Sequence, residues 1–264
     1  MNKFSKEELE KFWNKEVKAE KPFFDAPSTL YYRRREIDLF KKWFGELYEK
    51  KLLKTDCWNE SRNTRILFWA ARIGARCSCF DISESNLKDA KRNMKDEGVE
   101  IDFRFGDVRD IPYPDNSFDY FYSMGTIEHN PQFEQSIREL RRVLKPNGIG
   151  IIGVPRKFPV FSLERYYVFK LLNHFNRFPY GEEIHFSQGD FEEILTRNGF
   201  TVLESSSIML LPFSLRAIDV TLYKHFPHWC IITRPFLRFF EFLERHSSLL
   251  RDKGGYLLAV RVIK

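Results

Sequence analysis

The stretch Phe103-Arg-Phe-Gly-Asp-Val-Arg-Asp-Ile-Pro-Tyr-Pro-Asp-Asn-Ser-Phe-Asp119 decides how this chain folds. Its first residues end an alternating apolar segment, and a Gly-Asp pair and a proline-rich turn follow. The next apolar run, residues 118–123, begins directly after the turn. This order predicts a strand, a ligand-facing loop and a second strand.

Strands and helices alternate on both sides of this stretch. Before it, residues 52–55 and 77–81 have strand patterns, and the apolar spacing of residues 62–74 predicts one helix between them that ends at a glycine. After it, a helix begins at Pro131, and residues 149–155 are apolar enough for a buried strand. The pattern and the length fit one α/β domain with insertions.

This arrangement resembles the class I, Rossmann-like, S-adenosylmethionine-dependent methyltransferases, in their small-molecule (type 11-like) branch. The resemblance is carried by Gly106-Asp-Val108, by residues 111–119 and by Leu144-Lys-Pro-Asn-Gly148, in which Asn147 replaces a family glycine. It implies a doubly wound, mostly parallel seven-stranded sheet with N-terminal helices and two helical insertions. It also implies S-adenosyl-L-methionine as the cofactor.

The resemblance assigns cofactor-binding roles to side chains at the carboxyl ends of the strands. Asp81 would accept hydrogen bonds from the ribose hydroxyls, and its alternative role is to cap the next helix. Asp107 would accept from the exocyclic amine of adenine, with Val108 beside the ring. The other candidates that follow the second and fourth strands are Ile82, Ser123 and Met124.

The glycine-rich motif of the family is degraded in this chain. Lys54 stands at its acidic position, and Asp56, Trp58 and Glu60 stand at its three glycines. Glycines there let backbone amides approach the ligand, so the replacements must reshape the pocket. In one interpretation Asp56 or Glu60 pairs with the ammonium or sulfonium of the cofactor, and Trp58 adds a cation-π face. We favour it over a lost site, because the later positions match.

His129 is the candidate catalytic residue, since the fourth strand delivers it to the cleft and a histidine can accept a proton near neutral pH. Ordering the loop is its alternative role. Methyl transfer needs little acid or base help, because the sulfonium is already activated. The predicted function is methyl transfer to a small-molecule acceptor that contains lipid or sugar. The alternative is a non-catalytic methyltransferase-like binding or scaffold protein that has lost cofactor binding.

Composition leaves several partners open. The 264 residues carry a formal net charge of +6, which suits an anionic partner, although solvated lysines explain it equally well. The fourth strand lacks an Asn-Pro-Pro-Tyr-type ending, which argues against nucleic acid. The four cysteines show no metal-ligand spacing, and the charged N-terminus predicts no signal peptide. We therefore expect no metal site and a cytoplasmic protein.

Residues 1–50 are predicted to form a helical lid, with a capping box from Ser5 to Glu8 and Ser28 as the cap of a second helix. Arg35 of that helix should stay in solvent. Residues 51–264 form the methyltransferase-like domain, with insertions at about 156–187 and 206–252. The aromatic, cationic second insertion is expected to pack within the protein. Its alternatives are peripheral membrane contact, a cap over the cleft or a dimer face, and the oligomeric state stays open.

Overall fold

The computed structural model describes residues 5–19, 21–157, 159, 163–164, 167 and 183–264. Within them seven strands form one sheet: β1 (Lys51–Lys54), β2 (Arg76–Asp81), β3 (Ile101–Phe105), β4 (Phe118–Met124), β5 (Leu144–Pro155), β6 (Thr201–Ile208) and β7 (Leu257–Ile263). Their order is β3-β2-β1-β4-β5-β7-β6. The pairs among β1 to β5 are parallel, and β7 runs antiparallel to β5 and β6. The predicted mostly parallel seven-stranded sheet is confirmed.

Helices connect these strands: α1 (Lys6–Ala19), α2 (Pro27–Trp43), α3 (Trp58–Arg62), α4 (Ile66–Arg72), α5 (Glu84–Glu97), α6 (Phe133–Val143), α7 (Gln188–Arg197), α8 (Phe213–His225), α9 (Arg234–His246) and α10 (Ser248–Gly254). Alternate strand residues enter two separate apolar clusters. Leu52 belongs to the cluster that includes α2 and α4, whereas Leu53 belongs to the one that includes α6 and α7. Both faces of the sheet are therefore covered, as a doubly wound fold requires.

The predictions for the first two helices are confirmed only in part. In the predicted capping box, the Ser5 hydroxyl accepts from the backbone N–H of Glu8, and the Glu8 carboxylate accepts from that of Ser5, both at 3.2 Å. By contrast, α2 begins at Pro27 with Ala26 as its N-cap, so the prediction that Ser28 caps it is wrong. The proline fits the first turn because it has no N–H to satisfy.

The helix predicted for residues 62–74 is confirmed at Ile66–Arg72, but its predicted start is wrong. The chain forms α3 and α4 instead, separated by Arg65, whose φ of 56° breaks the helix. The second piece gains a cap from the first, since the Glu60 carboxylate accepts from the backbone N–H of Leu67 at 3.0 Å. A carboxylate at this end also suits the helix dipole.

Two buried carboxylates fasten the second insertion to α2. Asp219 of α8 accepts from the backbone N–H of Ser28 at 2.8 Å. Glu244 of α9 accepts from the Arg35 guanidinium at 2.8 Å and from the hydroxyl of Tyr31. Arg35 is consequently buried, and the expectation that it stays in solvent is wrong. Paired and hydrogen-bonded charges of this kind can be buried because each has its partner.

The structure leaves the boundary at residue 50 and the two insertion limits as predictions. Most of the first insertion, 156–187, lies outside the described residues. The second insertion is mixed: Leu237 and Glu244 are buried, whereas Phe236, Phe239 and Phe242 are exposed. No helix in the described ranges combines the length and apolarity that crossing a bilayer requires.

Candidate cofactor site

A cavity lies at the carboxyl ends of β1 to β4. Because parallel strands point the same way, the residues that follow them meet at one edge of the sheet. Of the predicted site residues, those that line this cavity are Asp56, Trp58, Asp81, Ile82, Asp107, Val108, Met124 and His129. The remaining wall comes from other elements and includes Leu9, Trp13, Tyr32, Asn59, Asn63, Phe80 and Tyr256.

Glu60 and Ser123 are not among the lining residues, and the structure gives both other contacts. Glu60 is fully buried and caps α4. The Ser123 hydroxyl accepts from the hydroxyl of Thr55 at 3.1 Å, which ties β4 to the loop after β1. Both side chains therefore stabilise the loop through contacts outside the cavity lining. A direct contact of either residue with a cofactor stays a prediction.

The loop after β1 is built around the buried ammonium of Lys54. It donates to the backbone carbonyl of Asp56 at 2.6 Å and lies 3.0 Å from the Asp56 carboxylate and 3.4 Å from that of Glu60. Burial alone lowers the pKa of Lys54, but the two carboxylates more than offset it and hold that pKa well above its ordinary value. A cation thus ends the strand and acids occupy the turn, the reverse of the family pattern.

This turn forms without glycine because residues 55–60 include no positive φ. The Asp56 carboxylate accepts from the backbone N–H of Trp58 at 3.0 Å and from the hydroxyl of Thr126 at 3.2 Å. The side chain that replaces the first glycine therefore closes the turn itself, as aspartates do in Asx turns. Its remaining exposed edge faces the cavity.

Asp81 is held by three donors. Its carboxylate accepts from the backbone N–H groups of Cys57 and Ser83, each at 2.8 Å, and from the side-chain amide of Asn86 at 2.6 Å. A carboxylate has about four acceptor positions, so roughly one is left for a ligand. Asp81 can therefore accept one ribose hydroxyl without rearrangement, rather than the two that the resemblance implies. The helix α5 is capped by Ser83 and not by Asp81.

Asp107 already pairs with a cation. The Arg109 guanidinium lies against both carboxylate oxygens at 2.5 to 3.0 Å, and its other amino group donates to Gln132 at 2.9 Å. Gly106 before it has no room for a side chain, since a Cβ would lie 2.6 Å from the ring of Pro112. The loop is thus fixed by close packing on one side and by an ion pair on the other.

Helix α1 lies over one side of the cavity. The ring of Trp13 meets the ring of His129 edge-on, with centroids 5.0 Å apart, and both residues line the cavity. The Asn14 side-chain carbonyl accepts from the hydroxyl of Ser83 at 2.8 Å and from the backbone N–H of Ser85 at 3.0 Å. Through these contacts α1 is fastened to the start of α5, next to Asp81.

A polar network behind the cavity was not foreseen from the sequence. Asn59 and Asn63 line the cavity and are joined by a 3.0 Å hydrogen bond. The Glu36 carboxylate accepts from Asn59 at 3.1 Å and from the Tyr122 hydroxyl at 2.7 Å, and burial raises the pKa of Glu36 to about 7. Arg216 donates to Asn63 at 3.2 Å. These partners come from four separate elements, so no local pattern could have joined them.

Comparison with known proteins gives one family. A family model described as "Methyltransferase domain" matches residues 61–152. Residues 61–152 are therefore similar to methyltransferase domains, and the rest of the chain lies outside this match.

Curated proteins match this chain over limited stretches. A demethylmenaquinone methyltransferase of Listeria welshimeri is 36% identical over 151 residues, which cover 51% of this chain and 61% of the relative. The chloroplastic 2-methyl-6-phytyl-1,4-hydroquinone methyltransferase 1 of Oryza sativa subsp. japonica is 38% identical over 88 residues, or 33% of this chain and 26% of the relative. In both the match covers less than two thirds of the relative's length.

Solved structures extend the likeness in fold to nearly the whole chain. A putative sarcosine dimethylglycine methyltransferase from Galdieria sulphuraria has a TM-score of 0.61 and 18% identity, with 97% of each chain covered. The magnesium protoporphyrin IX methyltransferase from Synechocystis, solved with bound SAH, has a TM-score of 0.62 and 12% identity, with 98% of this chain and 100% of the other covered. At these identities the likeness shows the fold alone.

The residues that line the cavity fit the cofactor S-adenosylmethionine in three places. Asp56 puts a carboxylate at the altered loop, Asp81 keeps about one acceptor position open, and Asp107 follows β3. The cofactor carries an ammonium, a ribose diol and an adenine amine, which are donors for such acceptors. The apolar rings of Trp13 and Phe80 line the same space.

We predict that cofactor affinity depends on the protonation of Asp81. Burial raises the pKa of Asp81 to about 6, against its hydrogen bonds, which lower it. A hydroxyl donates to the ionised form, so affinity should fall by up to about tenfold per pH unit below pH 6. Stability should change in the opposite sense: the folded carboxyl binds its proton more tightly than the unfolded one, so its contribution decreases as pH rises from about 4 to about 6. Titration calorimetry at several pH values tests this, and Asp81→Asn should remove the slope.

We predict that the two hydrogen bonds of Asn14 keep α1 closed over the cavity. Asn14→Ala removes both, and amide exchange in α1 should accelerate roughly tenfold or more, since each bond contributes about 1 kcal/mol. Hydrogen–deuterium exchange measured by mass spectrometry should show no change in β4 and β5. Lys15→Ala, at the exposed neighbouring position, is the control. Equal exchange in α1 of both variants would contradict this role.

Proposed function

We propose that this protein transfers the methyl group of S-adenosylmethionine to a small-molecule acceptor. The observation that carries the proposal is the meeting of Asp56, Asp81 and Asp107 around one cavity at the carboxyl edge of the sheet. Three acceptors in this arrangement match three donor groups spread along the cofactor. The match of residues 61–152 to the methyltransferase family supports the same activity.

At the methionine end, the reversed loop charges give Asp56 a specific role in this proposal. The cation of Lys54 is engaged by the loop itself, and the Asp56 carboxylate keeps an edge toward the cavity, where it binds the ammonium of the cofactor. The Asn63 amide accepts from Arg216 and donates one N–H to Asn59, and its second N–H supplies a donor for the methionine carboxylate. In the altered loop, side chains would then bind the methionine end of the cofactor in place of backbone amides.

The bound cofactor supplies a methyl group on an activated sulfonium, and the chain supplies alignment. Trp13 of α1 and His129 close one side of the cavity and exclude water from it. His129 is the group placed to accept a proton from a hydroxyl acceptor. Correct placement of acceptor and methyl carries most of the rate in such a reaction, so a modest contribution from His129 is expected.

The acceptor in this proposal is an apolar, ring-containing molecule. The relatives named above carry quinone-type substrates in their names. In this chain the rings of Trp13, Tyr32, Trp58 and Tyr256 line the cavity, which suits a flat apolar acceptor. A sugar-containing acceptor is the other class that the sequence leaves open.

A non-catalytic binding protein is the second candidate. It is favoured by one observation: Asp81 and Asp107 have protein donors on most of their acceptor positions. If those contacts persist when the cofactor is present, the protein's own donors occupy the acceptors that the adenosine half of the cofactor would need.

Transfer of a labelled methyl group separates the two candidates. Purified protein is incubated with methyl-labelled S-adenosylmethionine and a panel of phenolic, hydroquinone and glycosylated acceptors. We expect label on an apolar hydroquinone or phenol and a rate that falls sharply in Asp107→Ala. Absence of both cofactor binding and transfer to any acceptor would support the non-catalytic binding protein.

A further inference from the structure

The second insertion carries a row of exposed apolar side chains, which we call the aromatic ridge. Each is between 51% and 67% exposed: Phe226, Trp229, Ile231, Ile232, Phe236, Phe239 and Phe242. Single exposed apolar residues are ordinary, but several large ones in one segment mark an interaction surface. The cofactor cavity uses none of them.

The ridge is held outward by the anchors of α9. Phe236, Phe239 and Phe242 follow one another at three-residue spacing, which keeps them on one side of the helix. The other side carries the buried Leu237 and Glu244, and Glu244 is bonded to α2. Turning the aromatic side inward would break that buried ion pair. The exposure of the ridge is therefore a property of the fold.

The charges beside the ridge are mainly positive. Arg234 and Arg238 are exposed on α9, whereas Arg245 pairs with Asp38 and Glu241. The two acids of this helix are engaged by α2: Glu241 accepts from Arg34 at 2.6 and 2.7 Å, and Glu244 pairs with Arg35. The ridge therefore offers apolar rings with cations around them.

We propose that the aromatic ridge docks on the surface of an anionic lipid bilayer. Helices that lie in a bilayer interface combine Trp, Phe and Leu on one side with Arg and Lys around them, as α9 and the turn Pro227–Ile231 do. Trp229 suits the headgroup level, where indole rings collect. The arginines match anionic lipid headgroups, which attract basic residues.

A second copy of the chain fits this surface less well. A two-fold interface places the same patch against itself, so Arg234 and Arg238 would approach their own counterparts. The nearby acids on α9 are already engaged by α2 and are not free to neutralise them. An anionic bilayer removes this repulsion and covers the rings at the same time. Docking does not depend on methyl transfer, so either proposal can fail alone.

Vesicle flotation with the full chain tests the docking. The vesicles contain phosphatidylcholine alone or phosphatidylcholine mixed with phosphatidylglycerol, at about 0.1 M and about 1 M salt. One variant is Phe236→Ser with Phe239→Ser, and the other is Arg234→Glu with Arg238→Glu. Lys91→Glu with Lys95→Glu, exposed on α5, is the matched charge control, and Tyr48→Ser is the control for an exposed ring.

We expect the protein to float with anionic vesicles and to bind less at high salt. Both ridge variants should lose about tenfold or more of the binding, whereas both controls should keep it. Circular dichroism and methyl transfer to a water-soluble acceptor should be unchanged in the ridge variants. Absence of flotation, or equal flotation of the Phe236 and Phe239 variant, would overturn the proposal. A dimer in sedimentation that this variant dissociates, without flotation, would assign the ridge to a second copy.

Discussion

Lys54→Met should destabilise the protein by about 3–5 kcal/mol, because it removes the cation from a buried charge cluster. The Lys54 ammonium is fully buried within 3.4 Å of both the Asp56 and the Glu60 carboxylates. Methionine has a similar volume, so little of the effect comes from packing. The two acids are left facing each other without compensation. Urea unfolding, followed by circular dichroism, measures the loss directly.

A double variant tests whether the uncompensated acids cause this loss of stability. In Lys54→Met with Glu60→Gln, one of the stranded charges is neutralised, and the other, on Asp56, is partly in solvent. We expect most of the lost stability to return, while cofactor binding stays weak if the loop must keep its shape to present Asp56. Lys51→Met, at the exposed start of the same strand, is the control. A Lys54→Met protein that unfolds at the wild-type midpoint would contradict the role of the buried cation.

Asp107→Ala should weaken cofactor binding by about tenfold to a hundredfold, since a hydrogen bond to a charged group contributes about 1.5–3 kcal/mol. The side chain lines the cavity after β3 and is held in place by Arg109. Removing it deletes the acceptor for the adenine amine and releases the guanidinium into the same space. Titration calorimetry with S-adenosylhomocysteine measures the change.

Two further variants separate the effect of the Asp107 charge on cofactor binding from the effect of changing the loop. Asp107→Asn keeps one acceptor oxygen without the charge and should give an intermediate loss. Asp110→Ala changes an exposed side chain of the same loop and should bind as the wild type does. If Asp107→Ala bound the cofactor normally, the adenine contact would have to be assigned to the backbone instead.

The sheet and the position of the site follow from local patterns. The strands β1 to β4, each of four to seven apolar or alternating residues, and the loop at Asp107 are visible in the sequence, and parallel pairing brings the ends of these strands together. Asp81 and Val108 reach the cavity for this reason. Their identity could be predicted because their place depends on neighbours in the chain.

The rest depends on contacts that are distant in the chain or specific to one side chain. Ser28 and Asp219 are 191 residues apart, and Arg35 and Glu244 are 209 apart, so no periodicity could show that these groups are buried together. The break at Arg65 needs a left-handed residue that is rare outside glycine and asparagine. The sequence shows that Lys54 replaces an acidic residue of the family motif. Only the structure shows that its ammonium is buried against the acids of the following loop.

The central claim is that the altered loop still forms a cofactor site. Binding of S-adenosylhomocysteine to the 264-residue chain tests it most directly. In titration calorimetry we predict one site per chain, weakened in Asp107→Ala and retained in Asp110→Ala. No heat with about 1 mM ligand, together with no competition by S-adenosylmethionine, would contradict the claim.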